Sequence, residues 1–184
     1  DWVISRPIVV DNKLIGFTCN RAHQSDIGGG AAGTYNARAT EIWHEGIRLP
    51  PLRLVEQGTM RQDLWRLLLL NSRTPDLMDG DLRAMLGSTR IGVERVADLA
   101  RELGVETTVE FISAILDHGE RRLRSALRTL PAGHYESIEY THTDCFEEVD
   151  IAIRAAVTID KGHATVDFTG SDRQMRGFKN SSLV

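Results

Sequence analysis

Residues 17–46 read FTCNRAHQSDIGGGAAGTYNARATEIWHEG, and the fold can be read outward from this stretch. It opens on the tail of an apolar run and then sets Gly28, Gly29 and Gly30 in succession, with Gly33 close behind. Glycine loses more backbone freedom on ordering than any other residue, so this density argues against a regular helix or strand. A strand must therefore hand the chain to an irregular loop near Arg21, Ala22 and His23. The loop carries ionisable groups in two clusters, His23 with Asp26, and then Glu41, His44 and Glu45. Polar groups converging on a loop held by a rigid scaffold are a common setting for function.

Upstream, Trp2 to Val10 is rich in β-branched residues and reads as a strand, with Pro7 marking an edge or a bulge. Asp11-Asn12-Lys13 is a turn signal, and Leu14 to Asn20 is the returning strand of a hairpin. Downstream, Thr40 to Trp43 reads as a short strand or turn, and Leu49-Pro50-Pro51-Leu52 as extended backbone.

Beyond residue 60 the period changes. Met60 to Asn71 has helical spacing, with Leu64, Leu67 and Leu68 on one face. From Asp76 to Leu103 apolar residues recur at Met78, Leu82, Met85, Val93, Val96, Leu99 (or Ala100) and Leu103. This predicts a long helix capped by Gly104 and open to a kink at Gly87 or Gly92. A second long helix follows through Val109, Ile112, Leu116, Leu123, Leu127 and Leu130, stopped by Pro131 to Gly133. The two are expected to pack as an antiparallel pair. His134 to Tyr140 returns to strand character. Ile151, Ile153, Ala155, Val157 and Ile159 alternate, Lys161-Gly162 fits a tight turn, and Ala164, Val166 and Phe168 alternate on the return. The expected fold class is α+β: an N-terminal β-hairpin and glycine-rich loop, a central long helical hairpin, and a C-terminal antiparallel β-hairpin. Strand and loop occupy 1–59, helices 60–131 and the second β region 132–184, within a single fragment of a larger domain.

The 184 residues carry 22 basic and 26 acidic side chains for a net charge of −4, with 41% hydrophobic composition, so a packed core is expected and no nucleic-acid footprint. No apolar run approaches a membrane span. Cys19 and Cys145 stand far apart, which argues against a disulfide framework and for a reducing, cytoplasmic setting. The first residue is not methionine and both ends fall close to strands, so the chain is expected to be a fragment.

His23 and Asp26 can share one divalent cation, can form an acid–base pair, or can simply shape the loop through a mutual hydrogen bond. The backbone N–H groups of Gly28, Gly29 and Gly30 can cradle a phosphate or other anion, although neither a dinucleotide fingerprint nor a Walker loop is present; a flexible connection is the alternative. Glu41, His44 and Glu45 can complete a site or belong to a solvated turn.

Four blocks in order, GFTCNRAHQSDIGGGAAG, TEIWHEGIRLPPLRL, DLRAMLGSTRIGVERV and TVDFTGSDRQMRG, resemble the B-type subunit of the hydantoinase/oxoprolinase family, which includes subunits of acetone and acetophenone carboxylases. The resemblance runs along essentially the whole chain. It implies that Asp1 closes an upstream His-x-x-Asp motif and that Asp1 and His23 are ligands of a divalent metal (Zn, Mn or Fe), with one ligand outside this chain. Asp26 becomes a carboxylate that either supports the ligands or is catalytic, Asp26, His23 and Glu45 together are the catalytic candidates, and Gly28, Gly29 and Gly30 form a substrate or phosphate cradle. The chain departs from the family at Gln24, where many members carry a second histidine, and at His44, where glutamine is common. The resemblance further implies an A-type partner that binds ATP and phosphorylates the substrate, while the B-type subunit hydrolyses a cyclic amide. A ketone carboxylase subunit is the alternative, and a non-catalytic assembly module a second one. The fragment by itself is expected to be inactive.

Overall fold

The structure is a computed structural model in which residues 2–33 and 35–180 are described. Chain contacts divide it between residues 107 and 108 into two compact units.

The first unit begins with the expected hairpin. Strand β1 (Trp2–Val10) pairs antiparallel with β2 (Lys13–Ala22), from Trp2 opposite Ala22 to Val10 opposite Lys13. Asp11 and Asn12 both take positive φ, 49° and 61°, the left-handed pair whose twist suits a two-residue hairpin turn. Pro7 lies in this sheet, where among the described residues no third strand needs its missing N–H, and the register slips one residue later, between Ile8 and Val9. Alternation turns Trp2, Ile4, Ile8 and Val10 inward and leaves Val3 and Val9 exposed.

The inward face rests on α2 (Pro75–Leu103), a continuous helix through both Gly87 and Gly92. Its buried residues are Met78, Leu82, Met85, Thr89, Ala97 and Ala100, so Ala100 rather than Leu99 faces the core and Leu103 is exposed. Gly92 is required by proximity: a Cβ there would lie 2.7 Å from Cγ2 of Thr18 on β2. Thr18 Oγ1 also donates to the carbonyl of Thr89 at 2.9 Å, tying hairpin to helix. The apolar face of α2 packs on β1, β2 and α1; a helical period defines a buried face without naming what covers it.

Helix α1 (Gln62–Leu70) buries Trp65 and Leu68 against Met78, Leu82 and Met85. The expected inward residue Leu67 is 45% exposed, since the indole of Trp65 takes the core position. That indole N–H donates to Asp79 at 2.8 Å, and Asp79 also receives Arg83 at 2.6 Å. Just before α1, a small hairpin of β3 (Val55–Glu56) and β4 (Thr59–Met60) turns at Gln57 and Gly58, both with positive φ.

The second unit holds most of α3 (Val105–Leu127) and an antiparallel sheet ordered β5 (Gly133–Thr143), β6 (Glu148–Asp160), β7 (His163–Asp167). Lys161 and Gly162 form the expected tight turn, with φ of 47° and 84°. Phe168 lies just beyond β7, whose place along β6 is taken up by Ser171 and Asp172: Arg154 N–H donates to Ser171 Oγ, and Ala152 N–H to Asp172 Oδ2. No helix among the described residues is long and apolar enough to cross a membrane.

Candidate functional site

The glycine loop leaves β2 after Ala22. His23 is exposed, and its ring faces Tyr35 across the loop at 5.3 Å between centroids, tilted by 33°. The next side chain turns the other way. Gln24 is 1% exposed, and its amide N–H₂ donates to the Ala22 carbonyl at 3.1 Å and lies 3.4 Å from Met85 Sδ. Its carbonyl oxygen is buried with no hydrogen-bond partner among the described residues.

Asp26 is also buried, and its hydrogen bonds go to Arg73 and Gly28. One carboxylate oxygen accepts the backbone N–H of Arg73 at 2.6 Å; the other accepts Arg73 Nη1 at 2.9 Å and the Gly28 N–H at 3.2 Å. None of the described hydrogen bonds joins Asp26 to His23. Arg73 sits in the corner between α1 and α2 and was not singled out in the sequence. Its Nη2 donates to the carbonyl of Gly29 at 2.7 Å, and Nη1 makes longer bonds to those of Ala31 (3.3 Å) and Gly28 (3.4 Å). No local pattern marks it, because its partners lie more than forty residues upstream.

The glycines are enclosed by backbone. Gly28 and Gly29 have φ of 81° and 80°; a Cβ would lie 2.9 Å from the Asn71 carbonyl oxygen at Gly28 and 2.5 Å from that of His44 at Gly29. Only glycine tolerates both constraints. The Gly30 N–H donates to the His44 carbonyl at 2.9 Å, and the Ile47 N–H to that of Ile27 at 2.9 Å. Two of the loop N–H groups expected to face an anion, those of Gly28 and Gly30, are therefore engaged within the loop.

The second polar cluster surrounds a 3₁₀ turn at Ile42–His44. His44 Nδ1 accepts the Thr40 N–H at 3.3 Å, which folds the turn on itself. Glu41 is exposed and Glu45 half-buried; no described hydrogen bond links either to His23 or Asp26. Asp1, expected as a metal ligand, lies outside the described residues. Among the described residues no group of three His, Cys, Asp or Glu side chains is placed to hold a metal ion.

The profile of the Hydantoinase B/oxoprolinase family matches residues 1–184. The chain belongs to this family. It is 34% identical, over 95% of its length, to an uncharacterised protein of Methanocaldococcus jannaschii, and covers 30% of that relative. The beta subunit of caprolactamase from Pseudomonas jessenii is 32% identical over 98% of the chain, which covers 31% of the subunit. The crystal structure of this ATP-dependent caprolactamase superposes with a TM-score of 0.88 over 97% of the chain and 31% of the neighbour. A nucleotide-free structure of acetone carboxylase reaches the same TM-score at 19% identity, over 97% of the chain and 25% of that neighbour, a likeness of fold alone. The chain thus spans about a third of the length of these curated relatives.

Proposed function

We propose that this chain is part of the B-type subunit of an ATP-dependent amidohydrolase that opens a cyclic amide, acting with an ATP-binding A-type partner in the cytoplasm. The likeness to caprolactamase carries the reading: 32% identity and a TM-score of 0.88 along nearly the whole chain, from a relative whose name specifies a lactam and ATP. Ring opening adds water across the amide C–N bond: the carbonyl carbon gains oxygen and the nitrogen leaves with a proton. ATP hydrolysis in the partner supplies the driving force.

In this reading His23 and Asp1 are two ligands of a divalent metal. His23 directly follows the last described rung of the hairpin, Trp2 opposite Ala22, where β2 hands the chain to the loop. One imidazole and one carboxylate suit zinc, manganese or iron, with the remaining donors coming from outside this chain. Such a metal, when bound, supplies a Lewis acid for the carbonyl. Asp26, His23 and Glu45 are the candidates for moving a proton at the site, and the loop of Gly28, Gly29 and Gly30 is the wall against which the substrate lies. The isolated 184 residues are expected to be inactive.

The test uses the intact complex. ATP-dependent ring opening of caprolactam, a hydantoin or 5-oxoproline supports the reading. Bicarbonate-dependent carboxylation of a ketone instead would assign the related carboxylase activity, and neither activity with both subunits present would leave an assembly module. Metal analysis of the full-length protein should show a divalent ion that His23→Ala removes.

A further inference from the structure

We propose that the glycine loop is an oxygen cradle for a cation, that the guanidinium of Arg73 is its resident cation, and that Arg73 is thereby a positioning residue for the candidate site. The carbonyl oxygens of Gly28, Gly29 and Ala31 and the carboxylate of Asp26 all turn toward this one side chain. Oxygens gathered this way repel one another unless a cation lies among them. A planar guanidinium suits the arrangement because its two terminal nitrogens reach different acceptors at once: Nη2 takes Gly29, while Nη1 takes Asp26, Ala31 and Gly28. A lysine ammonium would offer a single point charge.

The Asp26 carboxylate is 2% exposed, while the Arg73 side chain remains 45% exposed. The anion is therefore the fixed part of the cradle, and the cation reaches it from solvent. The positive φ at Gly28 and Gly29 turns their carbonyls inward, and no L side chain fits the space beside either. Asp26 then serves as the floor of the cradle rather than a proton carrier for His23, three residues before it. The consequence for turnover rests on the amidohydrolase reading above; the cradle itself does not.

Three variants of the full-length subunit, assembled with its partner, test this: Arg73→Ala, Arg73→Lys and Asp26→Asn. Amide exchange is followed at Gly30 and Ile47, whose N–H groups close the loop onto His44 and Ile27. Arg73→Ala should speed exchange at both by about tenfold or more. Millimolar methylguanidinium should restore protection, and ammonium at equal ionic strength should not. Arg73→Lys should stay fast. Asp26→Asn, nearly isosteric, should also exchange faster but gain nothing from methylguanidinium, since its cradle is still filled. In turnover, Arg73→Ala should lose about tenfold in kcat with KM within about twofold, recovered by methylguanidinium. Unchanged exchange in Arg73→Ala, or equal recovery with any salt, overturns the proposal; if Arg73→Ala does not fold, unchanged exchange in Asp26→Asn does so. A wild-type complex without ring-opening activity would defeat the functional reading while the exchange experiment still decides the cradle.

Discussion

In the first unit the apolar face of α2 is closed over by β1, β2 and α1: Met78 is 0% exposed and Leu82 1%. In the second unit α3 leaves Ile115 67% and Leu116 72% exposed, and Ile138, Ile153 and Val166 on the sheet are about half exposed (48, 50 and 53%). Composition does not separate these regions; both alternate apolar and polar residues with a clear period. The difference is whether the described residues supply a surface that covers the apolar face. A strand ladder satisfies its backbone by itself, but a small sheet gains independent stability only when one face is covered. The first unit therefore carries the burial that stabilises the described chain, and the second carries hydrogen-bonded pattern with little burial.

The largest expected effect tests this contrast directly. Leu82→Ala should cost about 2–5 kcal/mol, the range for emptying a closed core site. Ile153→Ala should cost under about 1 kcal/mol in the same 184 residues, as for a half-exposed position. Urea unfolding of both variants checks it. If Ile153→Ala approaches the cost of Leu82→Ala in the full-length protein, the sheet face is covered there by residues beyond those described.

Glycine substitutions divide the first unit internally. Gly29→Ala meets a backbone oxygen at 2.5 Å with φ near 80° and should cost about 1–3 kcal/mol. Gly87→Ala, in the middle of α2 with nothing within 4 Å of the new Cβ, should instead stabilise by about 0.5–1 kcal/mol. Thermal melts of the two should shift in opposite directions. A loss at Gly87 would mean that α2 needs flexibility there, and would revive the kink that its sequence allows.

These contrasts mark what could be read from the chain. Both long hairpins were legible because period-two alternation met a turn whose residues accept positive φ, Asp11-Asn12 and Lys161-Gly162. The β3–β4 hairpin escaped because two residues per strand cannot show a period, although Gln57-Gly58 makes the same kind of turn. Helix α2 was legible in extent, while its period could not name the strands that cover its apolar face. At the candidate site the sequence found His23, Asp26 and the glycines, since rare residue types cluster there. It did not find Arg73, an ordinary arginine on a helix corner whose meaning comes only from long-range folding. Tyr35, whose ring tilts against His23, was missed because an irregular loop has no period to say which side chains meet.

The smallest expected effect compares how each unit holds a carboxylate charged. In the first unit, the Arg61 guanidinium hydrogen-bonded to Asp63 draws its pKa down to about 2, helped by backbone N–H groups at Leu64 and at Asp63 itself. In the second, the backbone N–H groups of Glu147 and Phe146, each 2.8 Å from Asp144, hold that carboxyl below its ordinary value. Both folded-state values lie below the unfolded ones, so both groups favour the fold at neutral pH and lose that contribution as pH falls through the depressed values. Their responses to salt should differ. Asp63 is paired with a solvent-exposed cation, so high salt should raise its midpoint, and Arg61→Gln should return it toward the usual aspartate range. Asp144 is held by fixed peptide dipoles and should move little under either change. Carboxyl carbon shifts followed by NMR through an acid titration separate the two. Equal salt responses would mean that the turn at Asp144 depends on the nearby Arg176 charge rather than on its peptide N–H groups, and the distinction between the units would then rest on burial alone.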